Sequence, residues 1–141
     1  MIQSRPAEAK LGETRLRSGA ALPICMTKED HYYEGVDLFG EGRLDEAILA
    51  YQKALELDPT YTDALHGLAQ AYYAKEDFDN CIAVSRRILE LDPEDILAYT
   101  SLSRAYQRKG MVPEAEEAGN KARILGWKKE LQEQKEKGHS S

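Results

Sequence analysis

The five residues Leu-Glu-Leu-Asp-Pro occur twice in this chain, at Leu55 to Pro59 and again at Leu89 to Pro93, 34 residues apart. Chance rarely duplicates five residues within 141. Proline ends a helix, because it lacks an N–H and pushes the residue before it out of the α region. Two such stops one period apart therefore mark the ends of two equivalent helices, and a fixed period of this length is the signature of a stacked repeat.

The same shift brings Ala64 onto Ala98, Leu68 onto Leu102 and Tyr72 onto Tyr106. Small residues recur where helices must approach closely: Gly35, Ala69 and Ser103 share one place, and Ala47, Cys81 and Ala115 another. Three units emerge, spanning residues 28–61, 62–95 and 96–129. Each reads as two helices. In the second unit Leu65, Leu68, Ala69 and Tyr72 follow the spacing of one helical face, "KEDFD" breaks it, and Ile82, Ile88, Leu89 and Leu91 resume it. Gly42 and Gly110 fall in the matching breaks of units one and three, and Pro113 falls in a first turn, where its missing N–H costs nothing. Unit three has no junction proline. Its "ILGWKKEL" predicts a C-cap at Gly126 and a separate charged helix over residues 127–137, followed by a tail at 138–141. Trp127 is expected to pack over Ile124 and Leu125. Six repeat helices over residues 27–126 and a seventh, capping helix are the expectation.

Residues 1–26 differ. They carry Arg5, Lys10, Arg15 and Arg17 against Glu8 and Glu13, lack periodicity, and read as a disordered tail or as sequence ahead of a true start at Met26. The chain as a whole has a net charge of −6, which disfavours nucleic-acid binding through phosphate neutralisation. No run of 18 apolar residues is present, so no membrane span is expected. Cys25 and Cys81 leave one disulfide open on count, but the composition calls for no staple, which points to a reduced, cytoplasmic setting.

Helix–turn–helix units of 34 residues, small residues at fixed places and a proline at each junction resemble tetratricopeptide repeats. The stretch "GEGRLDEAILAYQKALELDP" is close to that family's consensus. Departures are His31 and Glu34, where the family prefers a large apolar residue and leucine, and Ser85 and Gly119, where it prefers an aromatic. Gly119 inside a helix costs up to about 1 kcal/mol relative to alanine. The resemblance implies an all-α, right-handed α-solenoid of three helix–turn–helix repeats with a capping helix, and a groove that holds an extended peptide or a partner helix.

Nothing in the sequence points to catalysis. His31, His66 and His139 lack carboxylate or cysteine partners at metal-ligand spacing. Asp58 and Asp92 belong to the helix-end punctuation, and Cys81 reads as a buried packing residue. No metal, no cofactor and no catalytic residue is expected.

Function should lie on the first helices, whose inner face lines the concave side of a solenoid. Beside the packing positions run three stripes: Tyr32, Val36 and Phe39, then His66, Gln70 and Tyr73, then Thr100, Arg104 and Gln107, with Arg108 one turn after Arg104. The first is apolar, the second mixed, the third cationic. They predict a peptide with an apolar end at the first stripe and an acidic end at Arg104 and Arg108. The competing readings are that Leu22, Pro23 and Ile24 fold back over the first stripe, and that the arginines pair with glutamates of a neighbouring helix. Some relatives clamp the acidic tails of heat-shock chaperones with lysines, asparagines and an arginine. The corresponding residues here are Tyr32, Val36, Gly67, Leu97 and Ser101, so that partner is not expected. The reading is an adaptor for an unidentified protein or peptide, monomeric or weakly self-associating. The alternative is an assembly subunit that stacks through its terminal helices, against which His31, Glu34 and the charged run 128–137 count.

Overall fold

The computed structural model describes residues 26–139. The expectations for the segment ahead of Met26, and for a cover over the first stripe by Leu22, Pro23 and Ile24, lie outside the described residues. Six helices follow one another: α1 Lys28–Gly40, α2 Leu44–Leu57, α3 Thr62–Ala74, α4 Phe78–Leu91, α5 Ile96–Arg108 and α6 Val112–His139. Each packs on the next in sequence, and α1, α3 and α5 also touch in succession. This is the pattern of an all-α solenoid.

The helix ends follow from the residues that stand there. Thr27 caps α1 in a reciprocal box with Asp30, and Asp77 and Asp95 cap α4 and α5 through their side chains. Between the helices of each pair the chain turns through one left-handed residue: Gly42 (φ 81°), Glu76 (φ 67°) and Gly110 (φ 79°). A following N–H then reaches back to the helix, from Arg43, Asp77 and Met111 to the carbonyls of Leu38, Tyr72 and Tyr106. Glu76 holds a conformation that costs an L-residue roughly 1–2 kcal/mol.

The LELDP junctions end on Asp58 and Asp92 in extended backbone, as the following prolines require. Asp58 Oδ1 accepts from the Thr60 N–H at 3.0 Å and its hydroxyl at 2.8 Å, and Oδ2 accepts from Lys28 Nζ at 2.5 Å. The Lys28 ammonium, with Thr60, pulls the Asp58 carboxyl down to about 2. A carboxyl depressed by folding stabilises the fold above its unfolded value of about 3.9, and the contribution is lost as pH falls towards about 2. Asp58→Asn should therefore flatten the loss of stability between about pH 4 and pH 2, measured as urea midpoints across that range.

The core holds a size exchange between helices. Tyr51 of α2 is 3 % exposed. Its ring lies between Gly35 of α1 and Gly67 of α3, where added Cβ atoms would come within 2.6 Å and 2.5 Å of it. One period on, α4 carries Ser85 in Tyr51's place, and the facing positions are Ala69 and Ser101. Ser85 is fully buried, and its hydroxyl finds no oxygen or nitrogen partner there, only the neighbouring Cys81 thiol. Another period on, Gly119 faces Ser103, whose Oγ is 3.2 Å from a Cβ built there. Where the second helix lacks the aromatic, the first helices supply the volume. Burial also pushes the Cys81 thiol up and leaves it fully enclosed, so it is a packing residue with little thiolate.

The C-terminal end corrects the sequence reading. α6 is one helix of 28 residues. Gly126 lies inside it rather than capping it, because Trp127 stands where the earlier units have proline and nothing stops the helix. Trp127 is 69 % exposed, not packed over Ile124 and Leu125. The side of α6 that meets α5 is carried by Ala115 and Ala118, with Ala122 and Leu125 partly covered. Trp127 follows Ala122 by five residues, about 140° further round the helix. Trp127→Ala is therefore expected to change stability by no more than about 0.5 kcal/mol, as surface substitutions do, read as a thermal midpoint that barely moves.

Candidate functional site

Successive first helices expose one shared face, and a pocket of about 380 Å³ opens on it. Phe39 of α1, Ala69, Gln70, Tyr73 and Ala74 of α3, and Ser101 and Arg104 of α5 line it. The period places these groups together, because residues 34 apart occupy equivalent points on neighbouring helices.

Tyr73 organises the cationic side. Its ring meets the edge of Phe78 with centroids 5.5 Å apart. The Arg104 guanidinium lies 4.4 Å from the Tyr73 centroid, and that of Arg108 lies 5.8 Å from Tyr73 and 4.9 Å from Phe78. Arg108, with Arg104, holds the Tyr73 phenol below its usual range. The two arginines differ in one respect. Arg108 pairs with Glu76 at 3.6 Å, whereas Arg104 makes no ion pair among the described residues. The pocket thus combines two aromatic rings and two alanines with one uncompensated guanidinium, an amide and a hydroxyl. Such a lining suits a bulky apolar side chain that sits close to a carboxylate.

Of the residues the sequence singled out, Phe39, Gln70, Tyr73 and Arg104 come together in this pocket. Arg108 does not line the pocket but lies against Tyr73 and Phe78. Tyr32 is half-buried, its ring 5.9 Å from Tyr51 and 5.7 Å from Tyr61, so it is engaged in packing between α1, α2 and the turn into α3. Val36 is 42 % exposed. His66 is taken up locally: its Nε2 lies 2.8 Å from Asp95 Oδ2, while Asp95 Oδ1 accepts the Ala98 N–H at 3.0 Å. This links α3 to the start of α5. The Thr100 hydroxyl donates to the Ile96 carbonyl, and Gln107 is exposed. The stripes omitted Ala69, Ala74 and Ser101. Extending each by one turn would have found two of them, since Ala74 follows Gln70 by four and Ser101 precedes Arg104 by three. Among the described residues no group of three or more His, Cys, Asp or Glu side chains could hold a metal, and no helix is long and apolar enough to cross a membrane.

Two family models match the chain: a TPR repeat model over residues 35–76 and a tetratricopeptide repeat model over residues 62–95. Among solved structures, the crystal structure of MamA superposes with a TM-score of 0.72 at 30 % identity, covering 74 % of this chain and 61 % of that one. The chain thus spans about three fifths of the MamA chain it matches. The first TPR domain of Spaghetti (RPAP3), solved with the HSP90 peptide SRMEEVD, superposes with a TM-score of 0.68 at 22 % identity, covering 70 % of this chain and 79 % of that one. The second such domain gives 0.67 at 19 % identity, covering 71 % and 93 %. No curated protein sequence gives a match.

Proposed function

The chain belongs to the tetratricopeptide-repeat family, a family of protein-interaction modules, and from that premise we propose that it is a non-enzymatic adaptor whose concave face binds a peptide or helix segment of a protein partner. An apolar side chain of the partner enters the pocket between Phe39 and Tyr73, and a carboxylate beside it meets Arg104. One observation carries this reading: Arg104 has no carboxylate partner among the described residues, yet it lies against the wall of an apolar pocket. A forked guanidinium held over an aromatic ring is already oriented to grip a carboxylate with two hydrogen bonds.

The acidic tail of a heat-shock chaperone is not the partner we propose. The peptide bound by the Spaghetti domain is a property of that protein. Here Tyr32, Val36, Gly67, Leu97 and Ser101 offer no lysine, asparagine or arginine at the places where a clamp for such tails needs them.

The test uses a partner recovered by affinity capture, with its affinity measured by calorimetry over a range of salt. Phe39→Ala should weaken binding about tenfold, the equivalent of about 1.4 kcal/mol, and leave the salt dependence intact. Arg104→Ala should weaken it comparably and flatten that dependence, because screened charge–charge attraction is what salt removes. Wild-type affinity in both folded variants would move the contact to another face.

A further inference from the structure

We propose that the partner segment includes the C-terminal half of α6 from a second copy of this chain, with Trp127 as the side chain that enters the pocket. This rests on the groove reading above and names its occupant.

The first ground is an apolar stripe that no described residue covers. Ile124, Trp127 and Leu131 are 59 %, 69 % and 65 % exposed. Their i, i+3, i+7 spacing places them on one side of α6. Every residue from Trp127 to Gly138 is exposed, a projecting length of about 18 Å. A further repeat stacked on α6 does not account for the stripe. Ile48 of α2 and Ile82 of α4 are buried in clusters with Leu68 and Leu102 of the following helices. The equivalent place in α6 is Glu116, which is exposed. The side of α6 that would receive another repeat is polar, while Ile124 and Trp127 stand where the preceding unit has Glu90 and Pro93.

The second ground is the match between stripe and pocket. Trp127 is the only tryptophan in the chain. Phe39 and Tyr73 offer ring faces and edges to an indole, and Arg104 offers a cation, which prefers tryptophan among the aromatics. Gln70 and Ser101 carry acceptors for the indole N–H. Glu130 lies one turn after Trp127, within reach of Arg104 at the pocket wall.

The contact joins two different surfaces, so it is heterologous: copies add head to tail, into a ring where the rotation between neighbours closes and an open chain where it does not. Three side chains present a few hundred Å², well short of the roughly 800 Å² per partner of a stable interface. Association is therefore expected to depend on concentration.

Sedimentation velocity of the full chain over a wide concentration range tests this, with circular dichroism confirming that each variant is folded. Wild type should grow in mass with concentration. Trp127→Ala, which keeps its groove, and Arg104→Glu, which keeps its tail, should each stay monomeric. Mixed together they should form a one-to-one species and nothing larger. A wild type that remains monomeric, or a mixture that gains no mass, overturns the proposal, as does unimpaired assembly of Trp127→Ala. A random dodecapeptide display library separates this failure from that of the groove reading. Selected peptides that bind wild type but not Phe39→Ala leave the groove standing and remove only the second copy. Peptides that bind both equally remove the groove as well.

Discussion

Gly67→Ala should destabilise the protein by up to about 2 kcal/mol, although alanine is the better helix former. The propensity gain is at most about 1 kcal/mol. Against it stands a Cβ placed 2.5 Å from the Tyr51 ring, and overpacking a closed core costs roughly 1–3 kcal/mol. The ring has little room to yield, because it is 3 % exposed and packs so close to Gly35 that a Cβ added there would come within 2.6 Å of it as well. The sign should reverse once the ring is removed. In a Tyr51→Ser background, which copies the Ser85 arrangement one period on, Gly67→Ala should stabilise by a few tenths to about 1 kcal/mol relative to that background. A double-mutant cycle from urea unfolding measures the coupling. Additive effects would mean that the ring and the glycine do not share a space.

Ile88→Ala should cost about 2–5 kcal/mol, the range for truncating a large aliphatic side chain in a core. Ile88 has no exposed surface and joins Leu65 of α3 to Ala98 of α5. It therefore seals the contact between the second and third units. In a stacked array each unit is held by its neighbours alone, so the loss should fall unevenly. Amide exchange in α5 and α6 should accelerate more than exchange in α1 and α2. Uniform acceleration would show that the chain opens as a single unit.

The period was legible because helix packing repeats the same physical demand every 34 residues: a small residue at Ala47, Cys81 and Ala115, and a stop at Pro59 and Pro93. What escaped lay where one unit departs from the others. Tyr51 with Gly35 and Gly67 is an exchange across helices, and aligning each position with its own equivalents separates residues that meet in space. Glu76 takes the left-handed turn that Gly42 and Gly110 take, which its side chain gives no reason to expect. Trp127 is large and apolar, which suggests a core role, but its place on the helix is set by the absence of a proline and not by its hydrophobicity. In the pocket the stripes brought in Phe39, Gln70, Tyr73 and Arg104, because equivalent residues on adjacent first helices point the same way. Tyr32 and His66 share those stripes, yet each also borders a neighbouring turn, where Tyr61 and Asp95 engage them. Spacing on one helix cannot reveal a partner that arrives from another.

The uninterrupted α6 has a consequence for anything joined beyond it. A helix of 28 residues is about 42 Å long, and it leaves the array without a flexible joint at Gly126. A reporter or second domain fused in helical register would inherit a bearing as well as a distance. Each inserted residue would advance it by about 1.5 Å and swing it through about 100°. Two fusions that differ by two residues would then point to nearly opposite sides of the molecule, and energy transfer from a dye on α1 would report the length of the insertion as an oscillation instead of a steady decline.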